Sequence, residues 1–282
     1  MYTLIAQNKY GQQIELTHNE AYVIESIEGI DPPEAVINVV KNANADGSVF
    51  NSAYVNERQI IITLAINGPA EDNRINLYRY FKNKYPIRLF YKNGIRDVYI
   101  DGFCKNMQVS FFNQKQIAQM TMVFPDPFFK SVNNDMIDFS NVVKDFEFPF
   151  EIVTPIPFSE IHAGEEKDIY NMGDVETGME FYLTAIGSIS NPTIWNIQTN
   201  EYYKLNISLS KGDEIYINTN SKYKKVSKIT SAGVVSNIIG NLVNGSTWLQ
   251  VEPGSNIFTL TADSNPQNLE AYCAISNRYE GV

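Results

Sequence analysis

The sequence predicts a mainly-β protein made of two domains, the first of which also contains one α-helix. Short runs of alternating apolar and polar residues, separated by turn residues, recur along the whole chain. The 282 residues are 44% apolar and 12% aromatic, which is enough to fill two cores of ordinary size. Pro125 and Pro127 stop a long β-like run at Phe124, because proline fixes φ and lacks a backbone donor. We therefore predict an interdomain hinge at Pro125, Asp126 and Pro127.

This hinge divides the chain into a first domain over residues 1–130 and a second domain over residues 179–282. Residues 131–178 contain prolines and an acidic cluster, and we predict a linker and an exposed loop there. Of the net charge of −10, most lies in residues 141–282, which hold 17 acidic and 9 basic side chains. An acidic half repels phosphates and anionic lipids, so no nucleic-acid specificity is expected.

In the first domain, alternation typical of half-buried strands occurs at Tyr2–Ala6, Ile14–Leu16, Tyr22–Ile27 and Val36–Val40. The segment Asn42–Asn56, with a turn signal at Asp46–Gly47, is interpreted as a polar loop. Arg58–Ile66 is the most apolar short run, and we expect a strand that is buried on both faces.

One helix is predicted between Pro69 and Pro86. Pro69 suits a first turn, and Glu71 and Asp72 complement the positive end of the helix dipole. Apolar residues expected to face the sheet are Ile75, Leu77, Tyr78 and Phe81. Strands are then predicted at Ile87–Tyr91, Val98–Ile100, Phe103–Phe112 and Gln116–Phe124.

The second domain has the short strands and regular turns of a β-sandwich or jelly roll. Eight strands are predicted, at Glu180–Ile186, Thr193–Ile197, Tyr203–Leu209, Glu214–Asn218, Lys222–Ser227, Thr247–Val251, Asn256–Ala262 and Glu270–Ser276.

The sequence shows no established set of catalytic residues. His18 and His162, the two histidines, fall in different domains, and Cys104 and Cys273 indicate buried thiols in a reduced compartment. Phosphate-loop and zinc-ligand motifs are missing, so we expect no enzyme activity, cofactor or metal. Neither a leader nor a run long enough to span a membrane is found, which predicts a soluble protein made in the cytosol.

Two other classes of function stay open. The acidic residues Glu165, Glu166, Asp168, Asp174 and Glu176 could supply the carboxylate pair of a glycan hydrolase, although a solvated loop explains them as well. Three aromatic residues, Trp195, Tyr203 and Trp248, are candidates for stacking on a sugar ring, and burial in a sandwich core is the alternative.

Five segments in order resemble the N-terminal domain of the distal tail protein (Dit) of long-tailed bacteriophages. They are Ile27–Pro33, Asp46–Gly47, Arg58–Ile62, the helix through Leu77–Phe81, and Phe124–Phe128. The second half is similar to the galectin-like sandwich that follows in this family, through Asn171–Asp174, Asn191–Pro192, Lys211–Ile215, Asn218–Thr219 and Pro253–Asn256.

The resemblance implies a structural protein that forms a homo-hexameric ring through its N-terminal domain. The ring would join the tail tube protein to the tail-associated lysin or tip protein at the tail tip or baseplate of the virion. Its C-terminal domains would dock receptor-binding proteins or fibres, and synthesis would occur in the cytoplasm of the bacterial host. Candidate ring-interface residues are Asp46, Gly47, Arg58, Phe111 and Phe112, and the alternative function is a carbohydrate-binding, lectin-like module.

Overall fold

The computed structural model describes residues 2–42, 46–111, 115–139, 142–143, 160–161, 164 and 166–282. Two units each have their own contacts and core. The first comprises Met1–Asn133 and Arg278–Val282, and the second comprises Asn134–Asn277. The predicted fold class is confirmed, since strands make up most of both units and the described residues contain a single α-helix.

The first unit is built on one nine-stranded sheet. Its strands are β1 (Thr3–Asn8), β2 (Gln13–Glu15), β3 (Tyr22–Glu28), β6 (Arg58–Ile66), β7 (Pro86–Lys92), β8 (Asp97–Val109), β9 (Gln116–Phe124), β10 (Phe129–Ser131) and β25 (Arg278–Tyr279). The order is β2-β1-β7-β8-β9-β6-β3, and β10 pairs with both β8 and β25. Alternation sends one face of each strand into the core, as Leu4 and Ala6 of β1 show.

Strand β8 runs without interruption through the residues predicted as two strands. It pairs with β7 along one side and with β9 along the other, with a bulge between Cys104 and Asn106. A side chain at Gly102 would collide with the ring of Phe124, so glycine is required for β8 to lie this close to β9. Strand β6 is buried mainly on one face rather than on both, because Gln59 is exposed and Ile61 and Thr63 are half-buried.

Helix α1 (Ala70–Tyr80) forms where it was predicted and covers the sheet with Leu77 and, just beyond its end, Phe81. The prediction that Ile75 and Tyr78 share this buried face is wrong, since they are 47% and 37% exposed. At 100° per residue, positions 77 and 81 lie one above the other, and the other two are rotated away.

Residues 35–41 and 48–55 form a two-stranded sheet of their own, the β4–β5 hairpin. Strands β4 (Ala35–Lys41) and β5 (Ser48–Val55) pair over their whole lengths, with a bulge between Asn38 and Val39. The predicted polar loop over Asn42–Asn56 is therefore wrong for β5. Its Asn and Ser residues obscured a strand whose apolar members are Val49, Phe50 and Tyr54.

The second unit is a β-sandwich. One sheet has the order β11-β24-β15-β19-β20-β21, with β22 on β15, and the other has the order β14-β23-β16-β17, with β18 on β16. Bounds are β11 (Asp135–Asp138), β14 (Glu166–Asn171), β15 (Thr177–Ala185), β16 (Ile189–Asn196), β17 (Glu201–Lys204), β18 (Ser208–Leu209), β19 (Glu214–Asn218), β20 (Lys225–Ile229), β21 (Val235–Asn237), β22 (Gln250–Val251), β23 (Gly254–Ser264) and β24 (Leu269–Ile275). A separate pair joins β12 (Val142–Val143) and β13 (Glu160–Ile161), and two 3₁₀ turns occur at Ile239–Asn241 and Pro266–Asn268. Apolar residues of both sheets, including Phe181 and Phe258, share one core.

The boundaries of the units differ from the predicted domains in two respects. Strands β11 and β14 lie within the predicted linker over residues 131–178, yet they pair in the two sheets of the second unit. Residues 278–282 belong to the first unit, because Arg278 and Tyr279 pair with Lys130 and Phe129 of β10.

Candidate functional site

The β4–β5 hairpin exposes apolar side chains on both of its faces. Its paired strands place Ile37, Val39 and Phe50 on one face and Val40, Val49 and Tyr54 on the other. All six are at least half exposed, and Phe50 and Ile37 reach 63% and 62%. A strand that is apolar on both faces is typical of a sheet covered on both sides, and an isolated hairpin is at best marginally stable in water. The hairpin therefore has the composition of a surface that another chain covers.

The predicted ring residues occupy different environments. Asp46 and Gly47 lie at the tip of the β4–β5 hairpin, where Gly47 has a φ of 91°. Phe111 is 52% exposed, and the guanidinium of Arg74 lies 4.7 Å from its ring centre. Phe112, like His162 and Glu165, lies outside the described residues. Of the five, Asp46, Gly47 and Phe111 are on the surface of the first unit.

Arg58 is a buried residue and is unavailable for contact with a neighbouring subunit. It is 4% exposed, and its guanidinium donates to four backbone carbonyls. Nε donates to Pro127 at 2.6 Å, Nη1 donates to Gly29 and Asp31 at 2.7 Å each, and Nη2 donates to Glu280. Burial lowers its pKa, while the charges of Asp31 and Glu280 oppose that change.

The guanidinium thereby joins its own strand, β6, to three other segments of the first unit, around residues 29–31, 127 and 280. Its planar fork of five N–H donors suits such a set of carbonyls, and the ring of Phe129 lies 5.0 Å away. Residues 280–282 are fixed here further, since the Val282 amide donates to the Ile30 carbonyl at 3.2 Å. The described end of the chain thus packs beside the segment that leads into β4.

The predicted hinge residues are fixed inside the first unit. The carbonyl of Pro127 accepts from Arg58, and the carboxylate of Asp126 pairs with Lys130 at 3.1 Å and Arg278 at 2.8 Å. The chain passes between the units after Asn133 and again after Asn277. Pro125 and Pro127 correctly predicted the end of β9, but the chain passes from the first unit to the second only after Asn133.

A cavity of about 590 Å³ opens at the base of the β4–β5 hairpin. It is lined by residues 29, 31–36 and 56–59, which include the acidic side chains Asp31, Glu34 and Glu57. This cavity lies next to the apolar hairpin and on the same unit.

The three aromatic residues predicted to stack on a sugar do not form one surface. Alternation along β17 turns Tyr203 into the core, where it is 1% exposed and burial raises the pKa of its hydroxyl. Trp248 packs edge-on against Tyr203 at 5.3 Å and contacts the core. Trp195 is half-buried on the outer face of its sheet and stacks with Tyr202 at 4.9 Å.

Two of the described acidic residues, Asp168 and Asp213, form contacts that hold local structure. Asp168 accepts hydrogen bonds from Ser255 Oγ at 2.7 Å and the Asn256 amide at 3.1 Å. The carboxylate of Asp213 pairs with Lys228 at 2.7 Å. Within the parts of the chain that the structure describes, no three His, Cys, Asp or Glu residues lie together in a metal-binding group. No helix among them is long and apolar enough to cross a membrane.

The sequence reasoning missed a second surface, on the larger sheet of the second unit. Tyr182, Tyr216 and Tyr272 occupy neighbouring positions on β15, β19 and β24, on the face that points away from the core. The alternation Glu180, Tyr182, Thr184 in the sequence indicates an outward face, but only the strand order shows that three tyrosines meet there.

Comparisons with known proteins agree with this architecture. Residues 172–272 match the family model described as siphovirus-type tail component, C-terminal domain. The crystal structure of the SPP1 Dit (gp 19.1) protein, described as a paradigm of the hub adsorption apparatus in phages that infect Gram-positive bacteria, is similar. It has a TM-score of 0.69 at 11% identity and covers 99% of both chains.

The baseplate of phage P2 in its activated conformation contains a similar chain. TM-scores are 0.56 at 12% identity for the structure with Ca and 0.53 at 11% identity for the structure with Sr, with full coverage of both chains. No sequence relative was found among curated proteins. The predicted resemblance is thus confirmed: residues 172–272 match the family model of this C-terminal domain, and the chain as a whole has the fold of the SPP1 Dit protein.

Proposed function

We propose that this protein is a structural hub of a phage or phage-like tail, and that it assembles into a homo-hexameric ring through its first unit. The ring joins the tail tube protein to the tail-associated lysin or tip protein, at the tail tip or baseplate. The second unit docks receptor-binding proteins or fibres, and the protein is made in the cytoplasm of the bacterial host. In this role it needs neither catalysis nor a cofactor.

The observation that carries this proposal is the β4–β5 hairpin. Its apolar residues on both faces would be covered if neighbouring subunits packed against each face in turn, and such head-to-tail contacts form a ring when the rotation from one subunit to the next closes. The acidic cavity at the hairpin base provides a concave surface beside these strands. The likeness to SPP1 Dit supports the hub role, and the sixfold number comes from the family resemblance.

The first test is to image the purified full-length protein by electron microscopy and to measure its mass by light scattering. We expect six-membered rings for the natural sequence and monomers for the Phe50→Asp variant, because a carboxylate cannot be buried unpaired in an apolar contact. Ile95→Asp is the matched control. Ile95 is 93% exposed in the turn between β7 and β8, so this variant should still form rings.

Two results would contradict the proposal. One is a natural sequence that stays monomeric at every protein concentration measured. The other is a Phe50→Asp variant that forms rings as well as the Ile95→Asp control does. Thermal unfolding of both variants should match that of the natural sequence, since neither residue is in a core, and this comparison separates loss of assembly from loss of folding.

The alternative function, carbohydrate binding for host-surface adhesion, has a narrower basis. Of the three aromatic residues predicted for this role, Trp195, beside Tyr202, lies on the outer face of its sheet, whereas Tyr203 is buried and Trp248 packs against the core. We therefore favour the hub.

A further inference from the structure

The outer face of the larger sheet in the second unit carries a row of three tyrosines. The register pairs Tyr182 of β15 with Tyr272 of β24 on one side and with Tyr216 of β19 on the other. Tyr182 and Tyr272 are 42% and 43% exposed, and the rings of Tyr182 and Tyr216 lie 5.2 Å apart. Neighbouring strands are about 4.8 Å apart, so the row extends across roughly 10 Å of open sheet. We call this surface the tyrosine face.

A carboxylate is held beside the row by fixed hydrogen bonds. The Tyr182 hydroxyl donates to Glu180 Oε2 at 2.9 Å, and Asn218 Nδ2 donates to Glu180 Oε1 at 3.3 Å. The same amide group donates to the Tyr216 hydroxyl at 3.1 Å. Because Ala274 is the cross-strand neighbour of Glu180 on β24, only a small side chain stands on that side of the carboxylate.

The surroundings of this face are acidic. Among the outward-pointing residues of β11, β15, β19, β20 and β24, which the structure describes in full, four are carboxylates and one is a lysine. They are Asp138, Glu180, Glu214, Glu270 and Lys225. A negative field over exposed aromatic rings attracts cations, because the face of each ring is itself the negative part of its quadrupole. Lys225 already makes a cation–π contact of this kind, since its Nζ lies 5.8 Å from the ring centre of Tyr216.

We propose that the tyrosine face docks a basic segment of another tail protein, whose arginine or lysine side chains stack on Tyr182 and Tyr272 and pair with Glu180. Tyrosine and methionine are enriched at protein interfaces, and Met136, 69% exposed, borders the row on β11. An exposed methionine offers apolar contact to a protein segment but no hydrogen bond to a sugar hydroxyl. This inference rests on the proposed docking role of the second unit and names the surface and charge that the partner must match.

The test measures binding of a fluorescein-labelled peptide of alternating arginine and serine to the full-length protein by fluorescence anisotropy. Replacing both Tyr182 and Tyr272 with alanine should weaken binding about tenfold, because each exposed cation–π contact is worth a factor of a few. Glu180→Gln should weaken it about fivefold, since the amide keeps the shape and loses the charge. Both changes are on the surface and leave the core intact.

Two matched controls lie on the other sheet. Tyr170→Ala removes a tyrosine of β14 that is 59% exposed, and Glu201→Gln removes a carboxylate of β17. Both variants should bind the peptide as the natural sequence does. Equal losses in variants and controls would overturn the proposal, because they would indicate general attraction to an acidic protein.

Two further outcomes would also overturn it. One is failure of the natural sequence to bind the peptide. The other is displacement of the peptide by neutral oligosaccharides in a manner that depends on Tyr182 and Tyr272, which would assign the face to a sugar. The Phe50→Asp variant, measured in parallel, separates this inference from ring formation: it should bind the peptide fully whether or not it assembles.

Discussion

Arg58 shows how one side chain can fix four separate segments of a domain. Its four carbonyl acceptors belong to residues on both sides of the second unit in sequence, from Gly29 to Glu280. A buried guanidinium is tolerated only where its donors are satisfied, and hydrogen bonds from a charged donor are stronger than those from a neutral one. The side chain therefore contributes to the stability of the first unit rather than to its surface.

We expect Arg58→Met to lower the free energy of unfolding of the first unit by about 3 kcal/mol or more, because four carbonyls, the one of Pro127 in a buried hydrogen bond, lose a charged donor. Both tryptophans, Trp195 and Trp248, lie in the second unit. In urea unfolding, circular dichroism should therefore show an earlier transition for part of the signal, while the tryptophan fluorescence transition stays in place.

Arg88→Met is the control for this prediction. Arg88 forms a two-bond ion pair with Asp101, but the two side chains are 39% and 49% exposed, so its loss should cost about 1 kcal/mol or less. If Arg58→Met and Arg88→Met lower the free energy of unfolding equally, water must satisfy the carbonyls around Arg58. The hydrogen bonds of Arg58 then contribute little to the stability of the first unit.

Single residues also mark the limits of sequence reasoning. Alternation identified β1, β9 and β19 because each has one buried face, and the helix was found from its end signals. Which of two adjacent tyrosines, Tyr202 or Tyr203, points into the core depends on the register of β17 against β16, and that register is a long-range property. Arg58 was assigned to a surface for a similar reason, since its acceptors are distant in sequence.

At the scale of elements, the turns that precede β19 and follow β20 are held by one carboxylate. Asp213 is 5% exposed, pairs with Lys228 on β20, and accepts from the backbone amides of Ser210 and Ser231 at 3.0 and 3.3 Å. The hydrogen bond from Lys228 is the main reason that the pKa of Asp213 is lowered, with the amides adding to it.

A lowered carboxyl pKa gives stability that is present above the pKa of the unfolded chain, about 3.9, and that disappears as the pH falls through the folded-state value. Asp213→Asn should therefore destabilise the second unit by about 1–2 kcal/mol at pH 7, and by less below about pH 4. Tryptophan fluorescence in urea at several pH values measures this directly.

Asp263→Asn provides the comparison, since Asp263 also pairs with a lysine, Lys204 at 2.7 Å, but is exposed. Its substitution should change stability little at any pH. A difference between natural sequence and Asp213→Asn that persists unchanged into acid would refute the linkage to this carboxyl group.

The β4–β5 hairpin shows why some elements are hard to predict. Its second strand, β5, lacks the regular alternation of apolar and polar residues that marks a strand with one buried face, and asparagine and serine interrupt its apolar residues. Its apolar residues face no part of the described core, so the usual pattern of one buried and one exposed face is missing. If neighbouring chains cover both faces, as we propose, the packing rules of a single chain are not sufficient to predict this pattern.

At the scale of the whole molecule, the second unit is an insertion into the first. Lys130 and Arg278 are direct partners in the antiparallel pair of β10 and β25, so the two crossings start from neighbouring strands. A fragment that ends near residue 130 loses β25 and the Glu280 acceptor of Arg58, and it is a poor model of the unit to which we assign the ring.

Replacing residues 134–277 with a short Gly-Ser turn should instead leave the first unit folded and able to form rings, because it keeps every strand of the large sheet. Electron microscopy and light scattering, as for the full-length protein, provide the measurement. Monomers from this shortened protein, under conditions in which the full chain forms rings, would place part of the ring interface in the second unit.

The division into two units could be predicted from composition and charge, but its position could not. Pro125 and Pro127 are strong local signals, and they ended β9 as expected. The packing of residues 278–282 on the first unit depends on contacts with segments distant in sequence. One of them is the Gly281 backbone, which lies so close to Pro32 that a side chain at position 281 would not fit. Such contacts leave no periodic signal in the sequence.

The position of residues 278–282 also orders events during synthesis. On the ribosome, the whole second unit emerges before β25, the strand that completes the first sheet. Until then, the first unit lacks β25, and Arg58 lacks the carbonyl of Glu280 as an acceptor. A nascent chain interrupted within the second unit cannot complete the unit to which we assign the ring. Because the second unit is inserted in this way, the first unit can be completed only after the second has been synthesised. Assembly through the first unit would therefore follow synthesis of the part that we expect to dock its partners.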